Sequence, residues 1–290
     1  MSVLCLIANP AEPAIDTALM HAVHRAVGGE INVLNQRIAV EFVNPALATA
    51  AEAARELVAG KPIDVAQVAL AHRRKRLLIA DMDSTMIEQE CIDELAAAVG
   101  IKAEVAAITA RAMNGELDFA QALRTRVKLL KGLPRSRIEE IRREQITLAP
   151  GGRALVQTMK THGAFTSLVS GGFTFFADYI SKRIGFDEAM ANILEFDGDV
   201  LTGTVADPIL GKEAKLSRLL TLAAFHDIPL AATLAVGDGA NDLEMIKAAG
   251  LGVALHAKPV VAAQAAVRID HGDLTALLYL QGYDEDEIVR

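Results

Sequence analysis

The sequence predicts a doubly wound α/β fold: a parallel sheet with helices on both faces, a helical cap inserted after the first core strand, and a small α+β N-terminal domain. Three observations predict it. Residues 76–80, Arg-Leu-Leu-Ile-Ala, are largely apolar, as expected of a parallel strand covered on both faces, and run straight into Asp81 and Asp83. After Pro150-Gly151-Gly152, strand-like and helix-like segments alternate. Between the two lies a block, 88–145, rich in Ala, Leu, Glu and Arg and poor in β-branched runs.

Taken in order, residues 3–8 read as a strand, 14–27 as a helix, 37–42 as a strand and 46–58 as a helix. Residues 60–75 read as a connector with one helical stretch. This sets residues 1–70 apart as a small α+β domain, with 71–290 as the main one. Gly100, Gly115 and Gly132-Leu133-Pro134 divide the helical block, which makes a cap at about 88–147. Strands follow at 164–169, 233–237 and 251–255, and helices at 152–162, 173–184, 212–226, 241–249 and 259–266. Residues 189–205 read as a hairpin turning at Asp197-Gly198.

Composition narrows the function. The formal net charge of −8 would repel nucleic-acid phosphates, so no nucleic-acid partner is expected. The one basic run, residues 72–76, is short and reads as a solvated linker. No apolar run is long enough to cross a bilayer, and Pro10 and Pro13 interrupt the first apolar stretch, so neither a membrane nor a signal peptide is expected. Cys5 and Cys91 fit no zinc spacing and no disulfide framework. A reducing, cytoplasmic setting suits them.

In an open parallel sheet, ligands bind beyond the carboxyl ends of the strands. Three strands here end in polar groups: Asp81 and Asp83, then Ser170-Gly171-Gly172, then Asp238-Gly239-Ala240-Asn241-Asp242. A lysine-bearing segment, Gly211-Lys212-Glu213-Ala214-Lys215, opens a helix before the third. Such an acid cluster is costly without a cation, and hard oxygens without histidine suit Mg²⁺. Ser170, the amides near Gly171 and a lysine suit a phosphoryl group. A carboxylate beside it can attack phosphorus, and an acid two residues on can serve the leaving oxygen and then water. A calcium loop is ruled out, because its sixth and twelfth positions would be Met86 and Ile92.

Together, Asp81-Met82-Asp83-Ser84-Thr85, Ser170, the lysine segment and Gly237-Asp238-Gly239-Ala240-Asn241-Asp242 resemble the motifs of the haloacid dehalogenase-like hydrolase superfamily, and within it the phosphoserine phosphatase family. The resemblance covers roughly 76–290, with specific runs DMDSTMIEQECIDELA, MNGELDFAQALRTRVKLLKGL, SGGFTFFADY and VGDGANDLEMIKAAGLGVALHAKP. It implies hydrolysis of O-phosphoserine through an aspartyl-phosphate, the last step of serine biosynthesis. It implies Asp81 as nucleophile and magnesium ligand, and Asp83 as general acid/base and, through its backbone carbonyl, a second ligand. Asp238 would complete the metal ligands, with Asp242 supporting. Ser170, Gly171, Lys215 and Asn241 would hold the phosphate. Lys215 fits the spacing better than Lys212. Glu90 would meet the substrate ammonium and Arg126 its carboxylate, with Met113 and Phe119 closing over them. Residues 1–70 look like part of an ACT-type module, a place for a small regulatory ligand, and a homodimer is the other partner considered. Two alternatives stay open: a phosphatase or phosphotransferase for another small phosphorylated metabolite, and a signalling module with a phosphorylated aspartate.

Overall fold

The computed structural model describes residues 1–113 and 116–290, and the Met113 side chain lies outside the described part. The chain opens with β1 (Ser2–Ala8), α1 (Thr17–Val27), β2 (Glu30–Asn35), β3 (Ala39–Val43), α2 (Ala50–Leu57) and β4 (Ile63–Ala69). These strands form an antiparallel sheet in the order β2-β3-β1-β4, a split βαβ arrangement. Two of the strands depart from the sequence expectation. Residues 63–69 are a strand, not a helical connector, because Ile63 and Val65 face α1 and α2 while Ala66 and Val68 face the main domain. With both faces buried, a strand shows no polar alternation. The other is β2, a mostly exposed edge strand with almost no apolar pattern to announce it.

β5 (Leu77–Ala80) starts the main sheet. α3 (Cys91–Ala98), α4 (Lys102–Met113), α5 (Phe119–Lys128) and α6 (Arg135–Glu144) then form the inserted cap. They pack through Leu95, Leu123, Val127, Ile138 and Ile141, all buried. The insertion leaves and rejoins the core at a pinched base, where Ile87 and Leu148 make an antiparallel bridge. Next come α7 (Gly152–Thr161), β6 (Phe165–Phe173), α8 (Thr174–Ile184), β7 (Glu188–Asn192), β8 (Leu194–Asp197) and β9 (Val200–Val205). The hairpin expected over 189–205 is therefore confined to β8 and β9, turning after Asp197, while β7 pairs in parallel with β6. The chain ends with α9 (Lys212–Phe225), β10 (Thr233–Gly237), α10 (Leu243–Ala248), β11 (Leu251–Leu255), α11 (Pro259–Ala262), β12 (Val267–Ile269) and α12 (Ala276–Leu280). Helix α11 is shorter than expected, and β12 and α12 are too short to stand out in sequence.

The main sheet has the order β12-β11-β10-β5-β6-β7, with every recorded pairing parallel. Its two faces follow the two-residue period of β5: Leu78 and Ala80 meet α7, α8 and α12, while Leu77 and Ile79 meet α9 and α10. Among the described residues, no helix is long and apolar enough to cross a membrane.

The four-stranded sheet docks on the edge of the main one. Asp64 of β4 is buried, and its carboxylate accepts from the backbone N–H groups of Asp270 (2.8 Å), His271 (3.2 Å) and Gly272 (2.7 Å). Arg73 pairs with Glu41 of β3 and donates to Leu280 O at 3.0 Å. Replacing Asp64 with Ala leaves those amides without an acceptor. Asp64→Ala should cost roughly 2–3 kcal/mol of unfolding free energy, measured by denaturant titration; an unchanged midpoint would remove Asp64 from the docking contact.

Candidate active site

Register builds the site. Ala80 pairs with Leu168 on one side and Val236 on the other. One or two residues beyond these partners come Asp81, Ser170 and Asp238, so the three leave the sheet at one edge. The Asp81 N–H donates to Val236 O at 3.0 Å, which ties the first loop to the third strand. The first loop then turns tightly: Met86 and Ile87 both donate to Met82 O, and Ser84 sits at φ 54°. A positive φ on a non-glycine residue is strained and held in place by its surroundings.

Lys215 reaches this edge from the first turns of α9. It is only 2 % exposed, with Nζ 2.6 Å from Asp81 Oδ1 and 2.5 Å from Asp242 Oδ1. Lys212 instead lies two-thirds exposed, with Nζ 4.0 Å from Glu213. Asp81 Oδ1 also accepts from the Met82 N–H at 2.8 Å. Asp242 Oδ2 accepts from Gly239 N at 3.0 Å. Asp238 Oδ1 accepts from Thr85 Oγ1 at 3.3 Å. The Asp83 carboxylate accepts from Cys91 N at 2.8 Å and Ser170 Oγ at 3.1 Å, and Gly172 N donates to Ser170 Oγ at 2.8 Å.

Asp81, Asp238 and Asp242 each offer an oxygen within 4.8 Å of the others'. Both oxygens of Asp242 already accept bonds from Lys215 and Gly239, which leaves Asp81 and Asp238 to face a cation. The donors are all hard oxygens, a set that fits a divalent ion. The electrostatics agree. Burial, then the charge of Asp81, raises Asp83 and Asp238 above the ordinary carboxylate range and raises Asp242 to about 7. Burial alone would pull Lys215 down, but Asp81 and Asp242 more than reverse it and hold it above its ordinary value.

A cleft of about 1000 Å³ opens between this edge and the cap. Glu90, Arg126, Phe119, Gly171 and Asn241 line it. Glu90 precedes α3, and its Oε1 accepts from Ser84 Oγ at 2.9 Å; burial, then Asp83, raises it to about 7. Arg126 on α5 donates to Thr109 Oγ1 at 3.3 Å, and burial lowers it. The Phe119 ring covers Gly171 so closely that a Cβ there would come within 3.1 Å of it. Met113 ends α4, and its side chain lies outside the described residues.

The sequence reading missed two contributors. Asn192, at the end of β7, donates to Gly171 O at 2.8 Å and accepts from Leu210 N at 2.7 Å, bracing the Ser170 loop. Lys258 lines the cleft, with Nζ 3.7 Å from Asp238 Oδ2 and its N–H on Asp238 O at 3.1 Å. Its place just beyond a parallel strand was a usable signal; Asn192 carried none.

The model of the haloacid dehalogenase-like hydrolase family matches residues 78–247. A phosphoserine phosphatase of Streptomyces coelicolor is 43% identical over 251 residues, 87% of this chain and 60% of that protein. This chain spans 57–60% of the length of the first three curated relatives it matches. Among solved structures, a hydrolase of the same family from Salmonella enterica serovar Typhi superposes with a TM-score of 0.84 at 31% identity, covering 99% of this chain and all of that one. A probable phosphoserine phosphatase from Vibrio cholerae, in unliganded form, gives 0.80 at 33% identity over 99% of this chain and 88% of that one.

An acid whose folded pKa is raised binds more protons folded than unfolded, so its contribution to stability falls as pH rises. For Asp242 the window runs from the ordinary carboxylate range to about 7. Metal-free protein should therefore melt lower at pH 7 than at pH 5.5, with Mg²⁺ restoring much of the loss at pH 7 and Asp242→Asn flattening the dependence. Thermal melts at both pH values, with and without the ion, check this.

Proposed function

This chain belongs to the haloacid dehalogenase-like hydrolase family, and on that premise we propose that it is a magnesium-dependent phosphatase that hydrolyses O-phosphoserine to serine and phosphate in the cytoplasm. The observation that carries the reading is the meeting of Asp81, Ser170, Lys215 and Asp238 at one sheet edge, under a cleft lined by Glu90 and Arg126. In this reading residues 71–290 are the catalytic domain, with the cap at about 88–147, and residues 1–70 are a separate ACT-like one.

The chemistry follows from the bonds already made. Lys215 and the Met82 N–H hold Asp81 Oδ1, and among the described residues no hydrogen bond reaches Oδ2. An oxygen of the Asp81 carboxylate attacks phosphorus, forming an aspartyl-phosphate as the ester P–O bond breaks. Asp83, kept protonated more readily by burial and by Asp81, gives its proton to the departing seryl oxygen. As a carboxylate it then takes a proton from the water that hydrolyses the intermediate. Ser170 and Gly171, with Asn241, hold the phosphoryl oxygens. Asp81, the Asp83 carbonyl and Asp238 would hold Mg²⁺, which would supply positive charge against the phosphate dianion.

Glu90 and Arg126 set the substrate. They are charges of opposite sign lining the same cleft, and partial desolvation there raises Glu90 and lowers Arg126, a cost that a charged partner relieves. A substrate with an ammonium and a carboxylate answers both, and a sugar phosphate answers neither. Phe119 over Gly171 lets the cap exclude water while the intermediate forms.

Phosphate release from a panel of phosphorylated metabolites, including both phosphoserine enantiomers, with and without Mg²⁺, tests the reading. Phosphoserine should be preferred and turnover should vanish on chelation; sugar phosphates hydrolysed as well would overturn the substrate. Asp81→Asn should lower turnover by roughly 10³-fold or more while the melting curve stays cooperative. Arg126→Ala should raise KM for phosphoserine by roughly 10- to 100-fold, the worth of a charge-assisted pair, and spare p-nitrophenyl phosphate. Equal loss on both substrates would make Arg126 structural.

A further inference from the structure

A second cleft lies at the other end of the sheet. It encloses about 490 Å³ between the chain around residues 67–75 and the segments leading into β10, β11 and β12. Its titratable lining residues are His72, Arg73, Lys75 and Lys247, and among the described residues no Asp or Glu lines it. In a chain of net charge −8, a cavity with only basic ionisable groups needs a reason.

Three of the four are accounted for. Arg73 is paired with Glu41. Lys247 is half-exposed, with Nζ 3.0 Å from Gln264 Oε1 and 3.8 Å from Glu244. His72 is exposed. Lys75 differs. It is 7 % exposed, and its Nζ donates to Ala231 O at 2.8 Å. Ala231 lines the same cavity, which sets the ammonium at the cavity wall. Among the described residues, one of its three N–H donors is used and two remain. Burial lowers Lys75 to about 8, with no carboxylate nearby to oppose it. A buried cation without a counter-ion is destabilising, and an anion in the cavity would relieve it.

We propose that this cavity binds a small oxyanion, a phosphate or a carboxylate, on the Lys75 ammonium, with His72 and Lys247 at its rim. The site is independent of the catalytic cleft, since its residues sit at the amino ends of the strands whose carboxyl ends carry Asp81 and Asp238. An occupant would touch both the end of β4 and the main sheet, and so would bind the two parts of the chain together.

The test titrates the full chain, metal-free, with inorganic phosphate and, separately, with acetate by calorimetry and thermal melts. Wild type should bind one more equivalent of anion than Lys75→Met. In anion-free buffer Lys75→Met should melt at or above the wild-type temperature, because a buried charge is gone, and its gain on adding anion should be smaller. Turnover should be retained. Tighter binding of phosphate than acetate identifies a phosphoryl ligand, and the reverse a carboxylate. Should Lys75→Met fail to fold, Lys247→Gln at the rim should weaken the extra equivalent severalfold. Equal stoichiometry and equal thermal response in wild type and variant overturn the site.

Discussion

A single buried ammonium, Lys215, makes the catalytic edge of this protein physically tenable. Three aspartates come within 4.8 Å of one another there, and Lys215 bridges two of them. Burying a lone lysine, or a lone pair of carboxylates, costs several kcal/mol, and the arrangement survives only because each offsets the other. The bridge leaves the three carboxylates with one ammonium among them, and burial first, then the charge of Asp81, raises Asp83, Asp238 and Asp242. A divalent cation would relieve that residual deficit of positive charge.

The backbone is shaped to serve this crowding. Gly237 can carry no side chain, because a Cβ there would run into the Asp242 carboxyl. Gly172 is similarly closed off, with Asp83 Oδ2 only 2.8 Å from where its Cβ would stand. The small residues beside the acids keep the loops close enough for one cation to span them. Ser84, at positive φ, aims its hydroxyl at Glu90 and so joins the catalytic turn to the start of the cap. The acidic loop and the mouth of the cap cleft therefore share a single strained turn.

How much of this was readable in sequence depends on how many faces each segment buries. Strands 233–237 and 251–255 were legible to the residue because apolar runs end in Gly or Leu before polar loops. β4 was not, since its two faces pack on different cores and each mixes apolar residues with one polar residue, Gln67 on one and Asp64 on the other, so no apolar-polar alternation marks it. The acidic motifs at the strand ends were legible because their spacing is local. Spacing alone does not choose between Lys212 and Lys215; in the folded chain Lys215 is buried with Nζ 2.6 Å from Asp81 Oδ1, whereas Lys212, at the first position of α9, is two-thirds exposed. Asn192 acts across 21 residues through a loop contact that no local pattern encodes.

The position of the four-stranded sheet adds a further constraint. Asp64 grips the amides just after β12, while the chain near Lys75 lies at the amino ends of β10, β11 and β12. The N-terminal sheet thus grips the carboxyl end of the outermost core strand and borders a cavity at its amino end. β12 accepts His256 N–H through Ile269 O, and two residues later Lys258 donates to Asp238 O. These backbone hydrogen bonds link the carboxyl end of β12 to the main-chain carbonyl of Asp238 at the acidic sheet edge. The small sheet is thus anchored to the outermost core strand by a buried carboxylate that three main-chain amides satisfy, a polar contact that fixes its position more narrowly than apolar packing alone.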